Sequence, residues 1–206
     1  MLHLVTADNR ELYRAELLEM HRQRKAIFVD DLGWPLECDG DVECDAFDTL
    51  GALYLLALEE GETLGGSARL LPSTQPHLLG AVFPELCEEG VPIDDTIWEA
   101  TRFCPAPGIA VPERRRALLG KIIAGILEAG LLFGMTQVTF VASAALKPLA
   151  LAAGWSVRPL GASRRYGRER ISAFVADVDA AGLRRVRERY GLHAPLLRYL
   201  PARKAA

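Results

Sequence analysis

Arg24, Arg69 and Arg102 each fall within or beside apolar segments, and this constrains the fold more than any other feature of the chain. A guanidinium that approaches a core unpaired is strongly unfavourable, so carboxylates must converge on all three. Asp45, Asp48 and Glu99 are placed in the same way, with Phe28 and Trp34 nearby. Segments far apart in sequence must therefore fold onto one another, and their meeting point is the first place to look for chemistry. The surroundings are acidic. Residues 1–100 hold 6 Lys+Arg and 21 Asp+Glu, whereas residues 101–206 hold 18 and 6.

A chain of 206 residues, half hydrophobic (50%) and a quarter charged (25%), suits one well-cored globular domain, 1–206. Met1 leads straight into Leu2–His3–Leu4–Val5–Thr6, without the basic start and long apolar stretch of a signal peptide. The most apolar run, Ala117 to Met135, is interrupted by Lys121, Glu128 and glycines, and reads as a buried helix rather than a membrane span. The expectation is a cytoplasmic protein without a membrane partner. Cys38, Cys44, Cys87 and Cys104 form no Cys-x-x-Cys pair and have no histidine at ligand spacing, so reduced structural thiols and no metal are expected. The charge asymmetry has two readings. The halves salt-bridge across a shared core, or the basic half, with Glu113–Arg114–Arg115–Arg116 and Lys121, faces an anionic partner. A sequence pI near 5.9 and the lack of a basic-aromatic pattern argue against nucleic acid.

Hydrophobic patterning gives strands at 2–6, 53–58, 64–70, 96–103, 137–142, 155–159 and 171–177. Helices are expected at 11–31 with Asp8 or Asn9 as cap, at 112–133 with Pro112 in its first turn, at 144–153, and as a basic amphipathic segment at 180–190. Residues 33–50 read as a long acidic loop, Glu59–Glu60–Gly61–Glu62 as a hairpin turn, and 72–92, with four prolines, as irregular chain with short helical turns. This order predicts an α/β fold, a three-layer α/β/α sandwich around a mixed sheet.

Arg24 and Phe28 share a helical face, with Trp34 just beyond the helix end. They read either as an aromatic staple with a snorkelling arginine or as the wall of a pocket for an adenine or a sulfonium cation. Asp45 and Asp48 flank Phe47, whose burial draws them toward the arginines, and such anions can hold a ligand ammonium. Glu99 and Arg102, three apart, would point to opposite faces of an ideal strand, so if both join one cluster the strand must carry a bulge near 99–102. His3, His21, His77 and His193 stand in no catalytic company and read as surface or capping residues.

Taken in order, these residues resemble the acyl-homoserine lactone synthases, the autoinducer synthases of bacterial quorum sensing. The resemblance is carried by Arg24, Phe28 and Trp34, by Glu43, Asp45, Phe47 and Asp48, by Arg69–Leu70–Leu71–Pro72 with Phe83–Pro84, and by Glu99–Ala100–Thr101–Arg102–Phe103. It implies an acetyltransferase-like fold and no prosthetic group. It also implies two substrates, S-adenosylmethionine and an acyl thioester on acyl carrier protein or coenzyme A. The amine of the first attacks the thioester, and lactonisation then releases methylthioadenosine. On this resemblance Glu99 is the base, Asp45 and Asp48 orient the amine, and Arg24, Arg69 and Arg102 brace the acids. Phe28, Trp34, Phe103 and Thr101 line the adenosylmethionine pocket. Phe140, with Ala142 and Ser143, lies in the acyl pocket, where it favours a short, branched or aromatic acyl group, or else serves as ordinary core. An N-acetyltransferase and a non-catalytic binder of either ligand remain as alternatives. The first is weakened by Leu118 at a glycine position of the usual pyrophosphate loop that follows Arg115.

Overall fold

The computed structural model describes residues 1–59, 63–109, 111–167 and 169–202. The strands are β1 (Leu2–Val5), β2 (Cys38–Asp39), β3 (Val42–Glu43), β4 (Leu53–Leu58), β5 (Leu64–Pro72), β6 (Ile97–Pro105), β7 (Gln137–Ser143), β8 (Val157–Pro159), β9 (Arg164–Tyr166), β10 (Glu169–Asp177) and β11 (Leu197–Arg198). The helices are α1 (Arg14–Arg24), α2 (Leu78–Val82), α3 (Pro112–Phe133), α4 (Lys147–Leu151) and α5 (Ala180–Tyr190). Among the described residues, nine strands form one sheet in the order β11-β1-β4-β5-β6-β7-β10-β8, with β9 also on β10. The pairs β1/β11 and β6/β7 are parallel and the other pairs antiparallel, so the sheet is mixed as expected.

Helices cover both faces, which is why β4 reads as the unbroken apolar run Leu53–Leu58, buried at every residue. Leu55, Leu70, Val138, Phe140 and Phe174 pack under α3, and α5 joins this layer through Leu183 and Val186. Val5, Tyr54, Leu56 and Leu71 meet Tyr13 and Met20 on the opposite face, beneath α1. α3 has the expected ends: Pro112 in its first turn, Glu113 at the positive pole of the dipole, and Gly134 closing it in the left-handed region at φ 72°. None of the helices among the described residues is long and apolar enough to cross a membrane.

Several elements differ from the sequence reading. The 11–31 helix is composite: a 3-10 turn at Arg10–Tyr13, then α1, then a wide π turn at Lys25–Asp31. Asn9 does not cap it with its side chain; instead it accepts from Thr6 N and donates to Leu4 O and Leu200 O, tying β1 to the C-terminal segment. The acidic loop holds the small β2–β3 hairpin. The helix read at 144–153 shrinks to Lys147–Leu151, and the strand read at 155–159 starts at Val157. β9 and β11, too short to show periodicity, went unread. Of the expected turn, Glu60–Glu62 lie outside the described residues, while Glu59 N donates to Thr63 O across its base.

Candidate active site

The site begins with an irregularity in β6. Ser67 lies opposite Cys104 and Arg69 opposite Thr101, so β6 runs one residue longer than β5 over this stretch. The surplus falls at Arg102, whose φ of 52° is left-handed. Such a backbone costs a non-glycine residue about 1–2 kcal/mol. The bulge expected near 99–102 is therefore present, and it decides which way side chains point. Glu99, Thr101, Arg102 and Cys104 face the α1 and α2 side, whereas Trp98, Ala100 and Phe103 pack toward α3. Without the extra residue Arg102 would enter the apolar core under α3.

On the α1 side the three arginines meet three carboxylates. Arg24, fully buried, donates from Nε to Glu43 and from both Nη atoms to Asp48, at 2.8 and 3.0 Å. Arg69 bonds Asp45 through both Nη atoms, reaches Asp48 at 2.7 Å, and donates from Nε to the Thr101 hydroxyl at 3.0 Å. Arg102 bridges Glu43 at 2.9 Å and Asp45 at 2.7 Å. The Tyr54 hydroxyl and Asp45 N also donate to Asp48. Burial alone would lift the Asp48 carboxyl, but Arg24 and then Arg69 hold it well below the usual carboxylate range. Burial likewise works against the Arg24 cation, yet Asp48 and Glu43 keep it above its ordinary value. The cluster is electrically balanced, and its three guanidiniums and three carboxylates fix one another.

Glu99 stands apart from this network, which corrects the sequence pairing of Glu99 with the arginines. Its carboxylate is fully buried, enters no ion pair among the described residues, and accepts from Leu78 N and Leu79 N at 2.8 Å each. Burial pushes this carboxyl up to about 7, against the pull of the two N–H groups and of the more distant Arg69 and Arg102. The third carboxylate mate is Glu43, which sequence reasoning named in a motif but not among the site residues. An arginine-to-acid count alone cannot separate Glu43 from Glu99. Beside Glu99 the sheet opens: β6 and β7 pair only from Ile97/Gln137 to Glu99/Thr139, although β6 continues to Pro105 and β7 to Ser143.

Phe28 and Trp34 stack with ring centroids 5.0 Å apart, against Ile27 and Cys104, and the Arg102 guanidinium lies over Phe28 at 5.6 Å. Phe103 does not join them, because the bulge turns it toward α3; Thr101 serves Arg69. Phe140 lies between Trp155 and Phe174, stacked at 5.3 Å on each, with Ala142 in the same core. Ser143 alternates to the other face of β7 and accepts from Leu146 N. The four cysteines are free thiols. His21, Cys44 and Asp48 come within 4.8 Å of one another, a grouping their sequence spacing hides. The oxygens of Asp48 are engaged by Arg24, Arg69 and Tyr54, however, and His21 Nδ1 contacts Glu43 O at 2.8 Å, so the donor set is committed to the protein. His77 is buried, contrary to the surface reading; it stands at the N-cap position of α2, where its carbonyl accepts from Ala81 N but its side chain makes no capping bond.

Comparison with known proteins identifies the family of the chain. The profile of the family described as autoinducer synthase matches residues 8–186. An acyl-homoserine-lactone synthase of Rhizobium etli is 32% identical over 166 residues, covering 80% of this chain and 78% of the relative. The isovaleryl-homoserine lactone synthase of Bradyrhizobium diazoefficiens is 34% identical over 196 residues, covering 93% and 86%. Among solved structures, the CoA-dependent acyl-homoserine lactone synthase BjaI with SAM and isopentyl-CoA superposes with a TM-score of 0.88 at 32% identity, covering 98% of this chain and 94% of that one. An acyl-CoA N-acyltransferase from Pseudomonas aeruginosa, 16% identical with a TM-score of 0.58, shares the fold alone. The bulged β6 with its balanced charge cluster thus sits in an acyltransferase scaffold, and the chain belongs to the autoinducer synthase family, the acyl-homoserine lactone synthases.

Proposed function

We propose that this chain, acting as one domain, condenses S-adenosylmethionine with a short or branched acyl-coenzyme A to give an N-acyl-homoserine lactone. The observation that carries the reading is Glu99: a buried carboxyl near pKa 7, held by two backbone amides beside a neutral cluster of six charges. With Glu99 protonated, the site around the cluster is neutral; ionised, it carries one negative charge, which suits a ligand bearing an ammonium and a sulfonium. The stacked Phe28 and Trp34 offer an aromatic face to the adenosyl group. Asp45, the most exposed of the three cluster acids, orients the ammonium, with Asp48 fixed behind it by Arg24 and Arg69.

The ammonium loses a proton to Glu99, acting as base directly or through one water. The free amine forms a C–N bond to the thioester carbonyl, the C–S bond breaks, and the nitrogen's second proton passes to the departing sulfur, so that coenzyme A leaves as its thiol. The methionyl carboxylate then attacks its own γ-carbon, the bond to the sulfonium breaks, and methylthioadenosine departs as the lactone closes. The opening between β6 and β7 next to Glu99 suits the thioester, and the Phe140–Trp155–Phe174 stack limits the acyl chain. Coenzyme A is favoured over a carrier protein because BjaI and MesI, each described as CoA-dependent, superpose over nearly the whole chain, with TM-scores of 0.88 and 0.84.

Purified protein given S-adenosylmethionine and either acyl-coenzyme A or acyl carrier protein of matched chain length tests this, with lactone measured by mass spectrometry. Turnover with isovaleryl- or other short-chain coenzyme A thioesters is expected. Turnover with the carrier protein alone would reverse the donor assignment, and a preference for long straight chains would remove Phe140 from the acyl pocket.

A further inference from the structure

His77 is a buried imidazole that the mechanism above does not use, set directly before the two residues whose N–H groups hold Glu99. The residue is 4% exposed, and its Nδ1 lies 2.8 Å from Gln75 O. A carbonyl only accepts, so Nδ1 carries the proton and the ring donates. Nε2 is buried without a hydrogen-bond partner among the described residues, so this single bond is what the ring contributes in polar terms. The ring also lies against the first turn of α2: a Cβ on Gly80 would come within 2.8 Å of its Cε1. His77 O in turn accepts from Ala81 N at 2.9 Å. The histidine therefore locks residues 75–77 and the start of a helix only five residues long, which has little cooperative stability of its own.

We propose that His77 is a positioning residue for Glu99, keeping the Leu78 and Leu79 amides on its carboxylate through the bond to Gln75 O and the contact with Gly80. The inference rests on Glu99 as the base for its catalytic meaning, but its structural content can be read separately. The groups facing Glu99 are the two α2 amides, Arg69 from β5, Arg102 from its own strand, and the Cys87 thiol; Thr139, its register partner on β7, is neutral. The arginines are fixed by other carboxylates, so the amides are the part of this environment that the segment before α2 controls. Hydrogen bonds to the ionised carboxylate lower its pKa, and loosening them raises it.

The experiment is a carbon-13 NMR titration of the Glu99 side-chain carboxyl, identified as the resonance absent from Glu99→Gln, alongside kcat/KM against pH. In His77→Ala both the titration and the acid limb of kcat/KM are expected to move upward by about one pH unit. His77→Asn, whose amide can reproduce the Nδ1 donor, is expected to restore the wild-type positions. Gly80→Ala, which displaces the ring without emptying its site, should move them as His77→Ala does, and should have no further effect when combined with it. An unmoved or lowered titration in folded His77→Ala, or equal shifts in the Ala and Asn variants, would overturn the proposal. Full turnover by Glu99→Gln would end the base assignment alone, and the NMR titration would still decide the role of His77.

Discussion

A base with a pKa near 7 makes turnover sensitive to pH in the neutral range. Glu99 must be ionised to take a proton, so kcat/KM is expected to fall as pH drops below about 7 and to level off above it. Glu99→Gln should lose on the order of 10²–10⁴ in kcat/KM together with that acid limb, as followed by thiol release. An acid limb retained in Glu99→Gln would assign it to another group. Asp48 behaves in the opposite sense. Its folded pKa lies below the unfolded value of 3.8, so its stabilisation is complete above that pH and is lost as pH falls toward the folded value. Asp48→Asn leaves Arg24 and Arg69 with an uncompensated charge and is expected to cost about 3–5 kcal/mol in urea unfolding at neutral pH. The variant should also lose part of the acid sensitivity of the wild type; an unchanged acid transition would show that Asp48 does not drive it.

The bulge in β6 was legible because two charged residues three apart could not share a strand face otherwise, and Arg102 is where the structure absorbs the difference. Arg102→Gly and Arg102→Ala both lose the guanidinium, but only alanine keeps a Cβ in the left-handed conformation. The glycine variant should therefore be the more stable by about 1 kcal/mol in equilibrium unfolding. Equal stabilities would mean that the surplus residue has moved elsewhere in β6. Longer elements could be read for similar reasons. β4 is apolar throughout, and β5 largely so apart from Ser67 and Arg69, because both are covered on both faces, and α3 carries its own start and stop signals. What stayed hidden lacked a local signal. β11 exists because Leu2 and His3 offer an edge and Glu128 accepts from Leu196 N and Leu197 N. The orientations of Phe103 and Ser143 follow from the bulge and from strand alternation, and the isolation of Glu99 follows from amides in a segment that reads as irregular.

Much of the opposite charge of the two halves of the chain lies on opposite sides of the sheet, although Arg164 of the second half reaches Glu85 O beside α2. α1 and the acidic 33–50 segment lie on one face, while α3 and α5 cover the other with exposed Arg114, Arg115, Arg116, Lys121, Arg184, Arg185 and Arg189. The interface between the layers is mainly apolar; among the described residues the ion pairs that join the two halves are those of Arg102 with Glu43 and Asp45, so most of the asymmetry is not taken up by salt bridges between them. This arrangement matches the two proposed substrates, a sulfonium-ammonium ligand on the acidic side and a polyphosphate thioester on the basic side. Attraction across exposed charges is screened over about 10 Å at 0.1 M salt. Raising ionic strength should therefore increase KM for the acyl-coenzyme A several-fold while leaving kcat nearly constant. Arg114→Glu, exposed at the start of α3, is expected to raise the same KM at low salt and to flatten its salt dependence. A KM indifferent to both salt and this reversal would leave the basic layer as a solvated face. A KM for S-adenosylmethionine that rises more steeply than that for the thioester would place the electrostatic steering on the acidic side instead.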